Sequence, residues 1–137
     1  MNTQLSKLKF PELPKFSGHW YPLYITPVIG SEEKIALAVA VIGADGTYLI
    51  KEALSDDGYM RFFGGHELKH ILKVSTGALS LYLETKRNID DWKAPLSGIE
   101  LGRSHEALGD DLLDIATQGL RFSSLFYGLE QRAISAK

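Results

Sequence analysis

The stretch from Ile35 to Ile42, IALAVAVI, is apolar at all eight positions. Few folds accept such a segment. A strand with one wet face alternates apolar and polar residues, whereas an unbroken run fits a strand covered on both faces or a buried helix. Gly43, Asp45 and Gly46 close the run after eight residues, which favours strand. Side chains alternate along a strand, so Ile35, Leu37, Val39 and Val41 share one face and Ala36, Ala38, Ala40 and Ile42 the other. The alanine face invites the close approach of a helix, and the branched face calls for other apolar side chains. Ala44-Asp45-Gly46-Thr47 reverses the chain. Its Asp-Gly pair suits a type I′ turn, in which both central residues take positive φ. Thr47 to Leu54 returns as the partner strand.

The remaining elements arrange themselves around this hairpin. Residues 1–18 hold Pro11, Pro14 and Gly18 between Leu5, Leu8, Phe10, Leu13 and Phe16, and read as an extended arm ahead of one domain over 19–137. Trp20 to Val28 is an expected first strand. Pro22 and Pro27 cannot donate to a ladder, which places it at an edge or leaves it one free side. Tyr59 to Phe63 suits one helical turn, and Gly64-Gly65 a joint. At about 100° per residue, Leu68, Ile71, Leu72, Ser75, Ala78, Leu79, Tyr82 and Leu83 fall on one arc of a helix over 66–87. Val74 and Leu81 fall off that arc, on one flank. A second helix over 110–131 is capped by Asp110 or Asp111, with Gly119 and Ser123 near the centre of its apolar arc. The order predicts an α+β fold: a three- to four-stranded antiparallel meander (about 20–28, 34–42, 47–54, with 98–102 as the fourth strand) and two long helices packed mainly on one face.

Composition narrows the functional classes. A 137-residue chain of net charge −2, with both signs dispersed, has no polybasic run for nucleic acid. No apolar run approaches the ~20 residues that span a membrane, and MNTQLSKLKF lacks the apolar core of a signal peptide, so a cytoplasmic location is expected. The absence of cysteine excludes disulfides, thiol catalysis and thiolate metal sites. No phosphate-binding loop and no serine-hydrolase elbow is present.

One short motif carries chemistry. His66-Glu67-Leu68-Lys69-His70 resembles the HExxH signature of zincin metallopeptidases. Two imidazoles at i and i+4 bind zinc there, and the glutamate acts on the metal-bound water. The resemblance covers five residues. It implies His66 and His70 as ligands and Glu67 as general base; Glu84, Glu100, His105 and Glu106 are the candidates for a third ligand, with His105-Glu106 in the long 88–109 connection first among them. Against it, both histidines fall opposite the core arc, the motif opens its helix directly after two glycines, and Lys69 adds a positive charge. A solvated first turn with two surface histidines is the first reading, and a zinc-dependent hydrolase the alternative.

Aromatic residues offer a second set of candidates. Trp92 in a polar loop suits an interface anchor or a plug at the core edge. Trp20 and Tyr24 on the first strand, with Phe63, suit packing, a contact surface or a small-ligand pocket. The arm, the first strand, Val74 with Leu81, and Leu125 give more apolar surface than a monomer of this size needs. The sequence therefore points first to an interaction or accessory protein without catalysis or cofactor of its own, binding itself or a protein partner.

Overall fold

The computed structural model describes residues 16–27 and 33–135; residues 1–15 of the arm proposed over 1–18 lie outside them, and its last three, Phe16 to Gly18, begin the first strand. The chain is α+β, and the described residues form a five-stranded antiparallel sheet and four helices. The strands are β1 (Phe16–Ile25), β2 (Ile35–Gly43), β3 (Tyr48–Glu52), β4 (Ile99–Leu101) and β5 (His105–Gly109). The helices are α1 (Asp56–Phe63), α2 (Glu67–Glu84), α3 (Leu112–Ser123) and α4 (Leu125–Ser135). The sheet runs β3-β2-β1-β4, and β5 pairs with β1 beside β4.

The apolar run forms β2, and Ala36 to Val41 are almost wholly buried. A bulge interrupts its pairing: Leu23 faces Ala38, but Tyr24 faces Ala36. Leu37 is left without a β1 partner, and its carbonyl accepts the N–H of Ala53 at 2.7 Å. The extra residue moves Ala36 off the face expected for it. The hairpin turn also differs from type I′. Only Gly46 has positive φ (+87°), and its N–H donates to the Gly43 carbonyl at 3.0 Å. One left-handed glycine closing a three-residue loop does the work that two positive-φ residues would do.

The first strand is internal, not an edge. Its start, Phe16 to Trp20, pairs with β5, and its end, Leu23 to Ile25, pairs with β4. Pro22 stands where one partner gives way to the other, and its carbonyl accepts the N–H of Gly102 at 2.7 Å. The missing donor thus falls in a gap of the ladder, which reconciles proline with an interior strand. The strand β5 was not legible in the long connection because its pattern is inverted: His105 and Ala107 turn inward while Leu108 is exposed.

Residues paired across a sheet share a face. Trp20, Val41 and Leu49 lie on one face, and His19, Ile42 and Tyr48 on the other. The helices α2 and α3 divide between them, where the sequence pattern had put both mainly on one. Helix α3 covers the Trp20 face. A Cβ on Gly119 would lie 2.8 Å from Trp20 Cδ2, and one on Gly109 2.9 Å from Ile115 Cγ1. Helix α2 covers the other face, where the Tyr48 hydroxyl reaches the Ser80 carbonyl at 3.4 Å. Gly119 on α3 and Gly109 on β5 let α3 approach the sheet closely.

The helix expected over 110–131 breaks at Ser124, which leaves the helical region (φ −116°, ψ 110°). Its Oγ accepts the N–H of Tyr127 at 3.2 Å, so it caps α4 as α3 ends. The break redirects the chain toward α1. Phe126 meets Phe62 and Phe63, with ring centroids 5.5 and 5.0 Å away. Glu130, only 3% exposed, accepts the N–H of Ser55 at 3.2 and 3.0 Å and also its hydroxyl. Ser55 Oγ in turn accepts the N–H of Gly58, capping α1. The end of the chain is thereby fastened to the start of a helix 75 residues earlier.

Two stability outcomes follow. Gly119→Ala forces a methyl into Trp20 and is expected to cost about 1–3 kcal/mol in denaturant unfolding. Glu130→Ala leaves the Ser55 donors unpaired and is expected to cost about 1.5–3 kcal/mol, with a smaller loss for Glu130→Gln. Unchanged midpoints in either series would contradict these contacts.

Candidate interaction surface

The HExxH residues sit at the mouth of α2. His66 is the residue before the helix (φ −110°, ψ 12°), and its side chain makes no capping bond. Its carbonyl accepts the N–H of His70 at 3.0 Å, which closes the first turn between the two histidines. Its Nδ1 is buried without a hydrogen-bond partner, while Glu67 and His70 are exposed. His105 stands elsewhere, on β5, with its ring stacked on Trp20 at 4.1 Å and 12°. Among the described residues no three His, Cys, Asp or Glu side chains come together as a metal-binding group. Glu100 forms an ion pair with Lys34. Asp111 caps α3 by accepting the N–H of Asp114 at 2.8 Å.

The aromatic candidates divide between core and surface. Trp92 is buried and belongs to the core cluster, as does Trp20 beneath Gly119. Tyr24 is half-buried. Phe122, which the sequence reading did not single out, is exposed and stands edge-on to Trp20 at 5.7 Å. A cavity of about 370 Å³ opens between the end of α2 and the β2–β3 turn. Tyr21, Ile42, Tyr48 and Leu83 line it, not the Trp20, Tyr24 and Phe63 expected of a ligand pocket.

The two flanks of α2 contrast. On one, Lys69 lies 2.8 Å from Asp56 and Lys73 2.6 Å from Glu52. The hydrogen bond from Lys69 holds the Asp56 carboxyl below the usual carboxylate range, and the bond to Glu52 raises the Lys73 ammonium. Tyr59 donates to Glu52 at 3.3 Å; burial first, then the Glu52 charge, push its phenol above the ordinary range. This flank is tied to β3 and α1. On the other flank Ile71, Val74, Ala78 and Leu81 recur at spacings of three and four residues, the pattern of a helix seam. Ile71, Val74 and Leu81 are 37%, 55% and 67% exposed.

Two small residues of α2 stand without a contact that accounts for them. Ser75 is fully buried and its hydroxyl has no partner. Gly77 sits mid-helix, where glycine costs about 1 kcal/mol relative to alanine. A Cβ there would meet nothing within 4 Å. Gly77→Ala is therefore expected to raise the unfolding free energy by about 0.5–1 kcal/mol; a loss would show a close contact on that side of α2.

Among the described residues no helix is long and apolar enough to cross a membrane. No family model matches the chain, and neither a curated protein nor a solved structure matches it.

Proposed function

We propose that this protein works by binding another protein chain, a second copy or a different partner, through the outer flank of α2, as an accessory component without catalysis of its own. The observation that carries this reading is the exposed seam of Ile71, Val74 and Leu81 on a helix whose core face is buried and whose opposite flank is tied down by ion pairs. Scattered apolar residues are normal on a protein surface. Residues in register along one helical flank have the pattern by which helices dock in grooves or against each other. The dispersed charge and net charge of −2 agree with a protein partner better than with a polyanion.

A photo-crosslinking residue at Leu81 tests this in the cell of origin. It is expected to capture a protein, whereas the same residue at Asp91, exposed on a separate loop, captures none. Failure to capture any protein from position 81, with the protein folded and expressed, overturns the reading.

A further inference from the structure

We infer that the occupant of this flank is the α2 helix of a second copy of the chain, packed antiparallel about a two-fold axis. The inference rests on the reading of the flank as a protein-binding surface and names its partner. Glu67, Ile71, Val74, Ala78, Leu81 and Thr85 follow one another at intervals of four, three, four, three and four residues. That series reads the same from either end, and a two-fold interface needs such self-complementarity. Turning one helix end for end sets Ile71 against Leu81 of the second copy and Val74 against its Ala78. Large then meets large at the ends of the seam, and Val meets Ala at its centre. Glu67 falls opposite Thr85.

Charge selects the direction. A parallel pair would place Glu67 beside Glu67, and like charges at facing positions disfavour pairing. In the antiparallel pair the bordering residues His70, Gly77 and Glu84, spaced seven apart, bring His70 near Glu84 of the second copy and Gly77 near itself, each two residues, about 3 Å along the axis, from level. The space that surrounds Gly77 in the single chain is then next to the axis, where a small residue lets two backbones approach. His70 and Glu84 are both exposed. They are 14 residues apart, about 21 Å along the helix, and cannot meet within one chain. The seam offers four apolar side chains per copy. It falls well short of the ~800 Å² per partner of a standard interface, so the dimer dissociates on dilution.

The test is the molar mass of the full chain by light scattering over a concentration series. The expected result is a reversible rise from one chain to two. Val74→Lys with Leu81→Lys is expected to stay monomeric while keeping the native circular dichroism spectrum, since both side chains are exposed in the single chain. His70→Glu is expected to raise the dimer dissociation constant about two- to fivefold, and adding Glu84→Lys to restore it. Recovery by the double charge reversal identifies the antiparallel contact between copies. The inference is overturned if the wild type stays monomeric at every concentration, if the Lys double variant still dimerises, or if the charge reversal gives no recovery. A monomeric wild type that crosslinks from Leu81 to a different protein rejects the second copy and keeps the binding surface; no crosslink of either kind rejects both.

Discussion

Burial of β2 on both faces is the constraint from which the architecture follows. A strand without a polar side chain cannot turn either face to water, and each face needs about one layer of side chains from another element. Helix α3 answers on the Trp20 face and α2 on the Tyr48 face. The two contacts are made differently. Gly119 brings the α3 backbone down onto an aromatic ring, whereas α2 buries Leu72, Leu79 and Leu83. Helix α4 then closes the assembly at one end, where Glu130 and Phe126 clasp α1.

What the sequence revealed follows from how local each signal is. The eight-residue apolar run, the arc of α2, the off-arc position of Val74 and Leu81, and the Asp111 cap depend on spacing within one segment, and all were legible. The placement of β1 was not. The rule that proline marks an edge assumes one continuous partner, and here two short strands share one side of β1 with Pro22 between them. The break at Ser124 was hidden for a related reason. Apolar periodicity runs through it, and the contacts of Phe126 and Glu130 with α1 and its cap, which hold the redirected helix, are tertiary.

The candidate surface was half legible. Its members were marked by failing to fit the core arc, which needs no partner to detect. Ile71 was assigned to the core because it stands at the arc's edge, and the structure leaves it partly exposed. The HExxH letters show the opposite case. The match is complete in sequence, yet among the described residues no third His, Cys, Asp or Glu side chain joins it in a metal-binding group. Trp92 likewise gains its place from the 3-10 turn Ile89–Asp91 that folds it inward, a local event that loop composition does not announce.

The handover at Pro22 has a consequence for how the molecule keeps to itself. A sheet ends in rows of unpaired amides and carbonyls, and a long flat row is a template on which a foreign strand grows. On this side the row is cut into a three-residue piece and a five-residue piece, with a proline behind the seam between them. Among the described residues an incoming strand meets no unbroken row longer than five residues on this border. The same interruption that let a proline into the middle of a sheet also blunts one of its two borders against fibril-like addition.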